Sequence, residues 1–189
     1  MLETLINIDK SIFLKINAMH FPLLDEVMSL ISGNIIWIPL YILLLYLFYK
    51  KYGFQVIWVL ISIALIVLLA DRSSVLLFKD VFMRLRPCHN VELVDKIHLV
   101  HNHCGGQYGF VSSHATNTMA VATFAFRLLK SNTWVVVLLF FYVVLVGFSR
   151  IYLGVHYPLD IIGGWVLGGI ISSFVLLLFN KFVTPIVGS

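Results

Sequence analysis

Charge is scarce in this 189-residue chain: 13 Lys and Arg with 9 Asp and Glu make 12% of it, against 60% hydrophobic residues and a mean hydropathy of +0.98. Soluble domains carry about a quarter of their residues charged. The composition therefore excludes that class and indicates an integral membrane protein. The net charge of +4 is scattered, with no basic run or stripe, which excludes nucleic acid as a partner. The start of the chain, Met1-Leu-Glu-Thr-Leu-Ile-Asn-Ile-Asp9, lacks the basic opening and small-residue cleavage site of a signal peptide, so the first long apolar segment is expected to be retained. There is no internal repeat and no low-complexity linker, which leaves one domain, residues 1–189. Cysteine is nearly absent. Cys88 and Cys104 are the only two and share one polar loop. They can close a disulfide if that loop faces an oxidising compartment; otherwise they are two unrelated thiols.

What is present is a succession of apolar stretches. Residues 1–20 place apolar side chains at Leu2, Leu5, Ile6, Ile12, Phe13, Leu14 and Ile16, broken by Asp9, Lys10 and Lys15. That pattern suits a helix lying in the membrane interface, or a sixth span if it inserts. Five spans follow, at 24–49 with a weak point at Ser32-Gly33-Asn34, at 54–77 with a polar extension to Arg84, and at 113–129, 134–149 and 159–180. Each is near the ~20 residues that cross ~30 Å of hydrocarbon. The expected fold is an all-α polytopic transmembrane bundle. Asp71 and Arg72 lie deep in the second span and are expected to pair there. In the last span Gly164, Gly168 and Ser172 fall at i, i+4 and i+8, a small-residue face that packs within the bundle or forms a dimer seam. The oligomeric state is left open. Lys50, Lys51, Arg127, Lys130 and Lys181 share one side if the spans alternate, which makes that side cytoplasmic and puts the long 85–111 loop outside.

Ionisable residues are expensive in so apolar a chain and mark function. Alternating spans bring three groups of them to the outer face: Lys79 to Pro87 after the second span, Phe110-Val111-Ser112-Ser113-His114 before the third, and Ser149 to Asp160 between the fourth and fifth. His156 and Asp160 are four residues apart, so in a helical segment the carboxylate can fix the imidazole tautomer. Pro158 suits a first helical turn, whose free N–H groups favour an anion. The competing reading is an interfacial histidine beside a simple helix cap. Lys79, Arg86 and Arg150 around two histidines, with no acidic metal cage, suit a phosphate dianion: Arg forks bind oxygens in pairs and Lys adds a point charge. Arg84 reads as a solvated cation, and the loop bearing His101, His103 and Cys104 as a wall of the substrate entrance.

Lys79-x6-Arg86-Pro87, Ser112-Ser113-His114 and Ser149-Arg150-x5-His156-x3-Asp160 resemble the three-part signature of the type 2 phosphatidic acid phosphatase family, which also includes the vanadium haloperoxidases. The first and third motifs agree position for position. The second has Val111 and Ser113 where the family has Pro and Gly, and a β-carbon at 113 restricts any positive φ that the glycine serves. The resemblance implies a membrane lipid phosphatase. In it His156, oriented by Asp160, is the nucleophile that forms a phosphohistidine, and His114 is the general acid and then base. Lys79, Arg86, Ser112, Ser113 and Arg150 are the implied phosphate ligands, with no metal or other cofactor required. The implied partners are membrane lipids and a lipid phosphate substrate on the extracytoplasmic face of the inner membrane. Undecaprenyl pyrophosphate is the first expectation, ahead of phosphatidylglycerophosphate and lipid A 1-phosphate. A lipid or anion transporter would use the same cations, but has no need of an oriented imidazole.

Overall fold

The computed structural model describes residues 2–129 and 133–187; Lys130 of the orientation argument lies outside them. Helix α1 (Leu2–Asn17) is amphipathic, and its buried positions Asp9, Phe13 and Asn17 recur every four residues on one face. Helix α2 (Pro22–Ser32) opens on a proline, whose missing N–H is no loss in a first turn. It stops at Gly33, and a 3-10 turn (Ile35–Trp37) leads into α3 (Ile38–Tyr52). Residues 24–49 are thus two helices where one span was expected. The break at Ser32-Gly33-Asn34 lets α2 pack separately against the end of a later helix.

Gly53, at φ +57, divides α3 from α4 (Val56–Ser73), which continues through a π-helix (Ser74–Lys79) and the single turn α5 (Asp80–Phe82). Met83 takes a left-handed conformation at φ +45 and ends this run just before Arg84. After the polar loop come α6 (Ser113–Leu129), α7 (Thr133–Tyr152) and α8 (Pro158–Leu178), the last extended by a π-helix (Phe179–Val183) and a final turn α9 (Thr184–Val187). Ile35–Phe82, Thr133–Tyr152 and Pro158–Val183 are long and apolar enough to cross a membrane. The first of these, at 48 residues, would measure about 70 Å if straight, over twice the hydrocarbon thickness.

Helix α6 is central and packs against α4, α7 and α8. Its tightest partner is α8, because Gly164 and Gly168 bring the two backbones together: a β-carbon at 164 would lie 2.8 Å from the Ser112 carbonyl, and one at 168 would strike the Thr116 carbonyl. The small-residue face of α8 is therefore used inside the bundle. Leu68, Phe140, Phe141, Val166, Ile170 and Leu177 are large, apolar and exposed, as expected of helices solvated by lipid. At the end remote from the polar loop, the Lys51 ammonium donates to the Leu128 carbonyl, and Lys51, Arg127 and Asn180 line one cleft. Asp71 and Arg72 do not form the expected internal pair. Both are exposed and make no ion pair with each other.

Candidate active site

The turn between α7 and α8 builds the centre of the site. Gly154 allows the reversal at φ +84, and a β-carbon there would meet the His98 carbonyl at 2.9 Å. Tyr157 is the N-cap of α8, Pro158 opens the helix and Asp160 falls at its third position. Asp160 Oδ2 accepts the Tyr157 backbone N–H at 2.9 Å and faces His156 Nδ1 at 3.3 Å. The helix-cap reading and the catalytic-partner reading thus describe one carboxylate. His156 and Asp160 are both buried, at 1% and 0% exposure. Burial first, then the charges of Arg86, Arg150 and Lys79, hold the His156 imidazole well below its ordinary pKa, and a hydrogen bond with the Gly109 backbone opposes them only in part. The ring is neutral at pH 7 and lies among three cations.

Each cation is fixed by its neighbours. Lys79 Nζ donates to Ser113 Oγ at 2.8 Å, Ser113 Oγ lies 2.7 Å from Ser74 Oγ, and Ser74 Oγ donates to the Asp71 carbonyl at 2.8 Å. With one proton per hydroxyl the chain has a single direction, from Lys79 through Ser113 and Ser74 to the backbone. Ser74 and Lys79 bound the π-helix, a distortion frequent at functional sites. Ser113 opens α6 and is not among the left-handed residues, which besides glycines are Met83, His101 and Asn102 among the described residues. The departure from the family's glycine therefore costs no backbone strain, and its hydroxyl becomes an acceptor for Lys79.

Residues 84–86 are extended and paired with 107–109: Arg86 N–H donates to the Gln107 carbonyl at 3.1 Å and Gly109 N–H to the Arg84 carbonyl at 2.8 Å. Alternation in an extended segment puts the Arg84 and Arg86 side chains on one face. The Arg86 guanidinium bonds the Tyr108 and Cys104 carbonyls, both at 3.3 Å, and a Cys88–Cys104 disulfide closes the same loop. His89 lies near both sulfurs, but a disulfide cannot ligate a metal as thiolate. Arg150 reaches Ser32 Oγ at the end of α2, while its Nε is buried without a partner. His114 stands exposed in the first turn of α6. Ser112 differs from the rest: it is fully buried, its hydroxyl turns to the Ala115 N–H at 3.5 Å, and its N–H donates to the Asp160 carbonyl at 3.0 Å. It ties the start of α6 to the start of α8.

Arg84 is not solvated. Its Nη1 donates to Asp160 Oδ1 at 2.7 Å, its Nη2 to Asp9 Oδ2, and its guanidinium lies 4.3 Å over the Tyr157 ring. Nothing local in the sequence marks this. The one available signal was the Asp9, Phe13, Asn17 stripe, which sets two polar residues about an aromatic one on a single face, too regular for a helix resting only on lipid. Asn17 bonds the His98 and Tyr152 backbones, and Asp25 accepts from Tyr152 OH at 2.6 Å and faces His98 Nε2 at 2.8 Å.

The sequence profile of the PAP2 superfamily matches residues 55–183. The chain belongs to the PAP2 superfamily. It is 37% identical over 92% of its length to a lipid A 4'-phosphatase of Porphyromonas gingivalis, covering 74% of that protein. It is 33% identical over 90% of its length to an undecaprenyl-diphosphatase of Sulfolobus acidocaldarius, covering 78% of it. The crystal structure of Aquifex aeolicus LpxE superposes with a TM-score of 0.63 at 26% identity, over 88% of this chain and 93% of that one. A PAP2-type phosphatidylglycerolphosphate phosphatase from Bacillus subtilis shares the fold, with a TM-score of 0.68 at 24% identity over 95% and 88% of the two chains. This PAP2 protein is an integral-membrane lipid phosphatase.

Proposed function

We propose that this PAP2 enzyme hydrolyses a lipid phosphomonoester through a phosphohistidine formed on His156. The observation that carries the reading is a buried, neutral imidazole whose Nδ1 faces Asp160 while Lys79, Arg86 and Arg150 surround it. Nε2 is then the attacking atom. It forms a bond to phosphorus as the phosphorus–oxygen bond to the lipid breaks, and His114 gives its proton to the departing oxygen. Neutral His114 next takes a proton from water, whose oxygen displaces His156 and releases inorganic phosphate. Lys79, Arg86 and Arg150 stabilise the equatorial oxygens, so the charge neutralisation that a metal would supply comes from side chains. The Ser113 and His114 N–H groups at the start of α6 add donors, while Ser112 acts through its backbone and cap.

The lipid proposed is a lipid A-type glycolipid carrying the 4'-phosphate, a reading supported by the identity with the P. gingivalis phosphatase. It displaces undecaprenyl pyrophosphate, which stays as the second reading on the strength of the S. acidocaldarius relative. An apolar cleft of about 310 Å³, lined by Leu44, Phe48, Ile63, Asn117 and Val121, lies a turn below His114 on α6 and suits an acyl or isoprenoid tail. The proposed topology is five crossings, by α3, α4, α6, α7 and α8, with the site on the extracytoplasmic face of the inner membrane; the basic residues Lys51, Arg127 and Lys181 at the opposite end of the bundle support it by the positive-inside rule. Purified protein in detergent with EDTA should release phosphate from hexa-acyl lipid A faster than from undecaprenyl pyrophosphate or phosphatidylglycerophosphate, and His156→Ala should release none. A preference for the pyrophosphate would select the second reading. Activity retained by His156→Ala would remove the mechanism.

A further inference from the structure

The family match begins at residue 55, so helix α1 lies wholly outside it. Yet α1 reaches the catalytic pair. Asp9 is 2% exposed, takes the Leu159 N–H at 2.8 Å through Oδ1 and receives Arg84 Nη2 through Oδ2. Arg84 gives its other terminal nitrogen to Asp160 Oδ1, while Asp160 Oδ2 faces His156. One guanidinium thus spans two buried carboxylates, with Tyr157 beneath it and Phe13 of α1 packed edge-on to the same ring at 5.4 Å. A hydrated arginine would leave Asp160 held at Oδ2 alone, by the Tyr157 N–H and His156, with Oδ1 unpartnered. Here each oxygen of Asp160 is assigned, and the outermost member of the set is carried by α1.

We propose that α1 completes the catalytic site: Asp9, acting through Arg84, fixes the orientation and charge of Asp160 and thereby holds His156 in line for attack. Asp9 and Arg84 are positioning residues, since neither touches the phosphate. The arrangement also makes the site depend on the docking of α1, an amphipathic helix with Leu5, Ile8 and Ile12 exposed. Its apolar face is free for lipid while its polar face serves the active site.

The inference rests on His156 being the nucleophile, and the test separates the two ideas. The charged and titratable groups that face His156 are Lys79 after α4, Arg86 in the loop, His114 on α6, Arg150 on α7 and Asp160 on α8, with Arg84 and Asp9 linked through Asp160. Asp9→Asn and Arg84→Gln remove one charge each and opposite signs. Both are expected to lower kcat at least tenfold on the lipid phosphate that wild type hydrolyses fastest, with KM changed less than threefold. Their pH profiles should part. Arg84→Gln frees Asp160 to favour the imidazolium, so the acid limb of kcat moves to higher pH; Asp9→Asn leaves Arg84 less compensated, so the limb moves to lower pH. The displacement expected is about half a pH unit, smaller than for a charge in direct contact. A purely structural role would lower thermal stability without opposite shifts. Arg84→Lys keeps the charge but cannot bridge both carboxylates, and should show the slow kcat with the wild-type limb; it separates positioning from structure if Asp9→Asn does not fold. Unchanged kcat in these variants, or limbs that move the same way, overturns the relay while His156→Ala remains inactive. Activity in His156→Ala overturns the nucleophile instead.

Discussion

Replacing Cys88 and Cys104 together by serine tests how far the polar loop 85–111 holds the site. The bridge joins residues 16 apart in sequence, and a loop of that size is worth about 3 kcal/mol on the chain-entropy account. For a chain of this length each kcal/mol moves the unfolding midpoint by ~2–4 °C, so the double variant in detergent should lose activity on heating at a midpoint ~6–12 °C lower. The effect should also reach the chemistry. Arg86 lies two residues before Cys88 and its guanidinium bonds the Cys104 carbonyl, so an opened loop directly loosens a residue proposed to bind the phosphate. The pairing of Arg86 with Gln107 and of Gly109 with Arg84 is independent of the bridge and should keep Gly109 beside His156. KM should therefore rise several-fold while kcat falls little. The assay is phosphate release after timed heating, run for wild type with and without reductant and for the Cys88→Ser/Cys104→Ser variant. Reductant should reproduce the variant in wild type and do nothing further to the variant. A midpoint within about 2 °C of wild type would refute the reasoning, and would mean that the backbone pairs alone set the loop.

Five further outcomes are expected. His114→Ala should abolish turnover of lipid phosphates while the protein elutes from a sizing column like wild type, since its side chain is exposed and buries no core. Ser113→Ala removes the acceptor of Lys79, a charge-assisted bond of ~1.5–3 kcal/mol, and should raise KM about tenfold; an unchanged KM would mean that Lys79 is placed by the π-helix alone. Gly168→Val must displace α8 from the Thr116 carbonyl and the Ala120 backbone, an overpacking of ~1–3 kcal/mol or more, read as a lower thermal midpoint. Orthovanadate should inhibit as a trigonal-bipyramidal mimic and EDTA should not; activity lost in EDTA and restored by Mg²⁺ would reject side-chain charge stabilisation. The neutral state of His156 also predicts an acid limb below the ordinary imidazole range near ~6.5, because the group loses nucleophilicity only when protonated and its pKa is depressed.

The sequence by itself determined what depends on hydropathy and short spacing. The apolar runs gave the helices, α6 begins and α8 ends near where their flanking polar residues lie, and the four-residue step from His156 to Asp160 was readable because a helix repeats every 3.6 residues. The motif residues were legible for the same reason: charges in apolar sequence are few and have little to hide among. What only the tertiary structure decided is where long-range partners meet. Asp9 accepts from Leu159 across 150 residues and Arg84 bonds Asp160 across 76, and no local pattern encodes such a pairing. Ser112 turned into a helix cap because α6 starts there and an orphan N–H needed an acceptor, not because its motif placed it otherwise. Residues 24–49 broke at Gly33 because α2 gains Tyr152 and Arg150 as partners for Asp25 and Ser32, contacts that hydropathy does not contain. Asp71 and Arg72 face outward and form no ion pair among the described residues, although the Asp71 charge still acts on Lys79. A buried charge persists only where another element supplies its partner, and that supply is a property of the folded chain.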